Sequence, residues 1–573
     1  MLHISRDLTH LLQGWRYEAA PVAVLLLLAF SMPRLGSRWF QIAENALRHI
    51  AQRSFSIILV GLVSLIASIT LSSLLGIPQP GVHDEFSHLL AADTFAHGRL
   101  TNPTHPMWVH FESIHIIQQP TYASKYLPGQ GLMLAAGQVF AKRPIVGVWV
   151  GTALACMAIF WMLVAWLPPS WALLGGFLAA LHPMTLQWSQ SYWGGTLAMG
   201  GGALVLGAFR RIIERKSAQD AVLMALGMAI LANSRPYEGF VLSLLLMTAL
   251  LAWMVSRDGP AIRVSLGRIV LPLLVVLTLT GGALGFYNKR VTGSALRMPY
   301  WVHEASYATA PVFLWQSPRP EPIYRHKAIR DFHISERYAY TRQQTITGLV
   351  HGIGGKFLTL AGAYFRPLAL ALALAALPCV LMRDRWMRFA LLLGILFMIG
   401  LLADVWMFPH YAAPAAALAL LLTLQSMRHL RWWQWRGRPI GQFVVRGMLV
   451  LCLVEPAILY QGLARPAGWS SQRASILANL KRTGEQHLVV VRYGPEHSPS
   501  DEWVYNEADI DGAKVVWARE MDAAQDSKLL EYFKGRRVWL LEADARVPTP
   551  VPYPIQSDLQ QNTFPTQQGN LAK

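Results

Sequence analysis

Charge is scarce in this chain. Asp, Glu, Lys and Arg make up only 14% of its 573 residues, against about 25% in an ordinary soluble domain. Cysteine is scarcer still. Cys156, Cys379 and Cys452 all sit in apolar runs, so they read as small core residues, with neither a disulfide framework nor metal-ligand spacing. There is no internal repeat, and the inverted repeat of many transporters is not visible. No small-residue cleavage site follows the short apolar stretch at 21–30, which runs into Arg34 and Arg38. That stretch reads as a retained anchor or a short first span rather than a removed signal peptide.

What the chain has instead is apolar length. Hydrophobic residues make up 53% of it, in runs rather than at helical or strand periods. A helix rising about 1.5 Å per residue needs roughly 18 or more apolar residues to cross the hydrocarbon. Residues 55–77 and 145–166 meet that requirement. Trp149, Trp166, Trp171 and Trp188 lie near run ends, as interfacial anchors do. The net charge of +18 resides mostly in short links between runs. It therefore reads as positive-inside topology and not as nucleic-acid binding.

Four basic links, at 34–53, 210–216, 383–388 and 428–446, are the cytoplasmic candidates, with a weaker one at 257–268. An even number of crossings must separate any two of them. Spans at 55–77, 145–166, 171–188 and 194–209 satisfy this between the first pair, and the apolar stretch 131–140 is too short to cross. Parity makes that stretch a juxtamembrane helix on the outer surface. Spans at 221–232, 237–256, 269–287, a stretch ending at 382, 389–406, 412–425 and 447–463 complete the count.

The expected fold is mainly α. It is a polytopic transmembrane bundle of about eleven or twelve spans, with outer loops at 78–144 and 288–357. Residues 1–54 form an N-terminal anchor and basic segment, and 55–463 the membrane core. Residues 464–546 are expected to be a small α/β domain on the outer face. Strands are predicted at 487–493, 514–518 and 538–541, and helices at 472–481 and 521–534. The Pro- and Gln-rich tail 547–573 is expected to be disordered.

The sharpest chemical signal is His83-Asp84-Glu85, within about eight residues of the end of the first strong span. A carboxylate at a partly desolvated membrane rim can remove a proton from an attacking hydroxyl. The same pair can also do no more than cap a helix over 85–98. Six of the 18 histidines are His83, His88, His97, His105, His110 and His115. They lack i, i+4 or HExxH spacing, so a divalent metal is only a minor alternative, and no cofactor is expected to be required. Lys125 with Tyr126, Arg235, Arg297 and His410-Tyr411 are candidate phosphate ligands, since cations bind phosphate through charge-assisted hydrogen bonds. Each can equally be a snorkelling or interfacial residue. Asp404 inside a span and Arg366 at the start of one are functional candidates by their cost in the membrane, or partners of each other. Asp509 and Asp511 read as a solvated acidic loop.

The segment HDEFSHLLAADTFAHGRLTNP resembles the first outer loop of the C-type (GT-C) membrane glycosyltransferase superfamily, which includes the protein O-mannosyltransferases and the lipid A aminoarabinose transferases. The resemblance continues through QQPTYASKYLPGQGLMLAAGQVF, SQSYWGG, ANSRPYEG and PHYAAP, over roughly residues 55–425. It implies a membrane glycosyltransferase that takes sugar from a polyprenyl-phosphate donor and passes it to a glycan, lipid or protein acceptor by a single inverting displacement. It implies Asp84 as the catalytic base with Glu85 its neighbour. His83, His88, Asp93, Tyr192, Trp193 and Glu238 are supporting or acceptor-side candidates. Many relatives carry an Asp in the loop where this chain has Ser189 to Gly195, so the second acidic role falls to Glu85 or Asp93 or stays unassigned. The short Arg-rich links suggest a bacterial cytoplasmic (inner) membrane. The competing readings are a transporter or flippase, which should place paired charges near the midplane, and a non-enzymatic envelope scaffold.

Overall fold

A computed structural model describes residues 18–366, 368–463 and 468–554. Among them, five helices are long and apolar enough to cross a membrane: Ser56–Leu75, Pro144–Val164, Thr196–Arg215, Pro236–Met254 and Ile262–Thr292. Shorter apolar helices cover Glu18–Ser31, Pro169–Leu181, Ala218–Ser234, Leu370–Arg383 and Ile440–Val454. Each of the eleven expected spans coincides with a helix, and the N-terminal apolar stretch forms one too. The chain is a multi-pass helical membrane protein. Pro128–Ala141 forms the expected short helix outside the count, with Leu132, Val139 and Phe140 exposed on one side.

The basic links meet at one end of the bundle. Glu44 pairs with Arg446 at 2.9 Å and Arg431 at 3.6 Å. The Arg210 guanidinium lies 4.1 Å from the Trp386 ring centre, and Arg431 lies 5.9 Å from that of Trp171. Parity required these links to share a side.

Small residues let the opposite end close up. A Cβ on Gly202 would lie 1.8 Å from the Pro414 carbonyl oxygen, so only glycine admits the turn Pro409–Ala415 against Thr196–Arg215. A Cβ on Gly129 would lie 2.7 Å from the Asn233 carbonyl oxygen. This contact brings the segment of Lys125 and Tyr126 beside Arg235.

Two expectations change here. The loop expected at 288–357 contains helices Pro299–Tyr307 and Lys327–Arg342, and a further helix, Ile346–Tyr364, runs out of it. That last helix lies along the rim. Lys356 Nζ donates to the Asp404 carbonyl at 2.5 Å and the Tyr364 hydroxyl to that of Pro409 at 2.7 Å. Arg366 and Asp404 do not pair. Arg366 meets Glu18 at 3.0 Å, and the Asp404 carboxylate accepts the Trp406 amide at 3.0 Å. The helix Arg385–Leu401 stops short of Asp404, which therefore belongs to a turn.

The C-terminal strands His487–Arg492, Val515–Arg519 and Arg537–Glu542 pair in parallel, with His487–Arg492 in the centre. Successive strand residues face opposite sides, and both sides are apolar. Val489 and Val491 pack with Val515, Trp517 and helix residues Ile476 and Leu480. Leu488 and Val490 pack with Val516, Ala518 and with Phe86, Leu90, Phe111 and Ile116 of the first loop. A sheet apolar on both faces needs two covers, and the first loop supplies one. The C-terminal unit thus shares a core with the membrane-proximal loop. The expected disorder from 547 also starts too early. Val551–Pro552 pairs antiparallel with Trp539 and Leu540, while 555–573 lie outside the described residues.

Candidate functional site

The site begins at the N-terminus of His83–Ala96. Acidic side chains are favoured there by the free N–H groups and the helix dipole. Neighbouring helical residues point about 100° apart, so the two acids part company. Glu85 is buried and saturated. It accepts hydrogen bonds from the Gly81 amide at 2.8 Å, the Ser191 hydroxyl at 2.9 Å and the Tyr192 amide at 2.8 Å. Burial nevertheless raises its carboxyl. It ties the loop 189–195 to the helix start and does not line the cavity. Asp84 turns into a cavity of about 720 Å³. The Tyr126 hydroxyl donates to its carboxylate, and His115 Nδ1 stands 3.7 Å away.

Two cations converge on the same cavity. Lys125 is buried, with Nζ 3.5 Å from Glu304 and 5.0 Å from the ring centre of Tyr300. Arg235 sits in the break between Ala218–Ser234 and Pro236–Met254, 3.8 Å from Glu238 and 5.0 Å from the Tyr411 ring centre. Both carboxylate separations exceed hydrogen-bond length, so each cation keeps donors for a ligand. Trp193, Phe240, Phe313, Trp406 and Phe408 line the rest with apolar surface. His410 is wedged 4.4 Å from the Trp193 ring and 5.0 Å from the Tyr411 ring. His88 stacks on Tyr126 at 4.5 Å, and its Nδ1 finds no hydrogen-bond partner among the described residues.

The histidines here are neutral at pH 7. Burial lowers His83 to about 4 and His88 to about 3, and holds His115 well below its usual value. His115 therefore does not neutralise Asp84. Burial alone would raise the Glu304 carboxyl, but Lys125 and His303 hold it down to about 2, so it stays charged. Among the described residues no group of three or more His, Cys, Asp or Glu is placed to hold a metal ion.

Of the candidates read from the sequence, His83, Asp84, His88, His115, Lys125, Tyr126, Trp193, Arg235, Glu238, Asp404, His410 and Tyr411 line one cavity. The others, Arg366 among them, do not. Besides Glu85, Asp93 is committed elsewhere, accepting the Gln138 side-chain amide at 2.9 Å and the Ala508 backbone amide at 2.8 Å. Tyr192 is buried, with its hydroxyl on the Pro78 carbonyl at 3.0 Å. Arg297 is exposed in the turn after Ile262–Thr292 and makes no part of the wall. Conversely, Tyr300, Glu304, Phe332, Glu336 and Ser500 line the cavity without a sequence signal of their own. His83 belongs to both sides, with Nδ1 2.8 Å from the hydroxyl of Tyr505 in the C-terminal unit.

No protein-family profile matches the chain, and no curated protein does. Solved structures do align with it. ArnT from Cupriavidus metallidurans in the apo state shares 14% identity over 84% of this chain and 92% of that one, with a TM-score of 0.49. The same protein bound to undecaprenyl phosphate gives 13%, 86%, 93% and 0.46. The Archaeoglobus fulgidus oligosaccharyltransferase tethered with an acceptor peptide gives 12%, 85%, 69% and 0.46.

Proposed function

We propose that this chain transfers a sugar from a polyprenyl-phosphate donor to an acceptor hydroxyl at the outer face of a bacterial cytoplasmic membrane. The observation that carries the reading is the cavity itself. The Asp84 carboxylate, two incompletely paired cations and an apolar wall meet at the end of the bundle opposite its basic links. A donor of this class has matching parts, namely a phosphate for Lys125 and Arg235 and an isoprenoid chain for the apolar side. The charges gather at one rim and not at the midplane, which disfavours a transporter.

In this mechanism Asp84 takes the proton of the acceptor hydroxyl as its oxygen bonds to the anomeric carbon. The bond from that carbon to the phosphate oxygen breaks at the same time, and the phosphate leaves with the electron pair. Lys125 and Arg235 stabilise the charge it gains. Tyr126 holds the Asp84 carboxylate in place. The displacement as written requires no cofactor. The test is transfer by the purified chain in lipid, given synthetic polyprenyl-phosphate sugars and envelope glycan or lipid acceptors. Product of inverted anomeric configuration is expected. Retained configuration, or no transfer from any such donor, would sink the mechanism.

The orientation has its own check. A phosphatase reporter fused after Leu463 should be active and one fused within the basic link at 428–446 inactive. The opposite pattern would put Asp84 on the cytoplasmic side.

A further inference from the structure

The helix Pro299–Tyr307 has a second use. Tyr300, Trp301 and Glu304 face the large cavity, whereas His303, Ser306 and Tyr307 face a separate one of about 130 Å³. The two sets occupy adjoining faces of a single helix, so the helix forms a wall between the two cavities. The smaller cavity is built from the first loop and the middle loop, and its wall is polar.

Its groups are arranged for hydrogen bonding without net charge. Glu112 is 2% exposed and accepts from the Tyr307 hydroxyl at 2.8 Å and from Arg325 at 3.4 Å. Arg325 offsets the charge of Glu112 only loosely at that separation, and it lies 4.7 Å from the ring centre of Trp108. Gln118 is also 2% exposed. Its side-chain nitrogen donates to the Phe111 carbonyl at 2.6 Å, which fixes which amide atom is which, and its oxygen has no partner among the described residues. His303 Nε2 likewise has none. A buried amide oxygen and a buried ring nitrogen left without partners cost stability unless a ligand or water meets them. Gln119 and Ser306 add exposed polar groups at the mouth.

A phosphate would meet the buried Glu112 carboxylate on this wall, a charge of its own sign, and an isoprenoid chain finds too many polar groups. The cavity is too compact for an extended peptide. We propose that it is a binding site for one uncharged sugar ring. Its assignment to a non-reacting sugar of the acceptor rests on the glycosyl-transfer reading above; the site itself does not.

The experiment is saturation-transfer NMR on the full chain in nanodiscs with methyl glycosides of glucose, mannose, N-acetylglucosamine and arabinose. A Gly-Ser-Asn-Gly tetrapeptide serves as the competing class. At least one glycoside should bind. Gln118→Leu should weaken it about three- to tenfold, the effect of losing one or two hydrogen bonds. Gln119→Ala, at an exposed position, should weaken it as well and guards against a folding defect in the first variant. Binding lost in Asp84→Asn but kept in both Gln variants would place the sugar in the large cavity and overturn the proposal. So would binding of the tetrapeptide alone, or of no probe. A chain that binds glycoside here yet turns over no polyprenyl-phosphate sugar keeps the site and removes the transferase reading.

Discussion

Asp84→Asn is expected to lower turnover by about 10² to 10⁴, while the chain inserts and folds as before. Phosphate on a polyprenyl carrier is already a good leaving group, so acid assistance is not the difficult step. The difficulty is making a hydroxyl nucleophilic at a membrane rim, and one well-placed carboxylate meets it. Asn keeps the shape of Asp84 and still accepts a hydrogen bond from Tyr126, so the loss isolates the base. The two groups nearest to it in the chain or in space are poor substitutes. Glu85 points away, with its oxygens already accepting from Gly81, Ser191 and Tyr192. His115 also lines the cavity, 3.7 Å from Asp84, but burial holds it well below its usual value, so it is a weak base. Glu85→Gln should instead act on folding. Its new amide must oppose either the Gly81 amide or the Ser191–Tyr192 donors, so the melting temperature should fall. Near-normal initial rates for Asp84→Asn, measured at saturating donor, would sink the mechanism.

The parts of this site that the sequence showed are those lying next to a membrane helix. Asp84, Arg235 and His410 each interrupt or border an apolar run, where a charged or polar residue stands out against its background. Parity then put them at one end, as the structure does. Adjacency misled in two places. Glu85 and Asp93 sit in the same acidic stretch as Asp84, yet helical rotation turns both away, one into a hydrogen-bond anchor and one toward Ala508. Composition alone cannot tell a carboxylate that is saturated by backbone amides from one that is open to a cavity.

The middle loop hid more. Glu304, Tyr300 and Phe332 reach the cavity through contacts with residues about two hundred positions earlier in the chain, and no local period marks them. The best available clue was Tyr-Trp-Val-His-Glu at 300–304, aromatic and acidic residues crowded into an otherwise basic loop. The helix Ile346–Tyr364 escaped notice because its glycines and Lys356 dilute an apolar pattern. The C-terminal strands were plain as short β-branched runs. Their joint core with Phe86, Leu90 and Phe111 was not, because apolarity on both faces of a strand says that two covers exist and not which segments supply them.

Neutralising Lys125 or Arg235 should weaken donor use by roughly ten- to hundredfold each, since charge-assisted contacts in a partly dry pocket contribute about 1.5–3 kcal/mol. Acceptor use should change less. Arg235→Gln is the simpler variant, because Glu238 lies 3.8 Å from the guanidinium and is not tightly bound to it. Lys125→Gln is harder to read alone. It would leave Glu304 charged and buried without its cation, and breaking a buried pair by removing one partner is costly in itself. The informative variant is therefore Lys125→Gln with Glu304→Gln, which removes both charges and keeps two polar side chains in contact. If Lys125 binds the donor phosphate, that double variant should fold and still show a raised donor KM. If Lys125 serves only to hold Glu304, the double variant should use donor normally. Arg235→Lys should recover part of the loss, because a point charge remains but the bidentate fork does not. Combining Arg235→Gln with the Lys125/Glu304 double variant should multiply the losses if the two cations hold different oxygens of one phosphate. Unchanged donor dependence in both the Arg235 and the Lys125/Glu304 variants would remove the phosphate from this cavity.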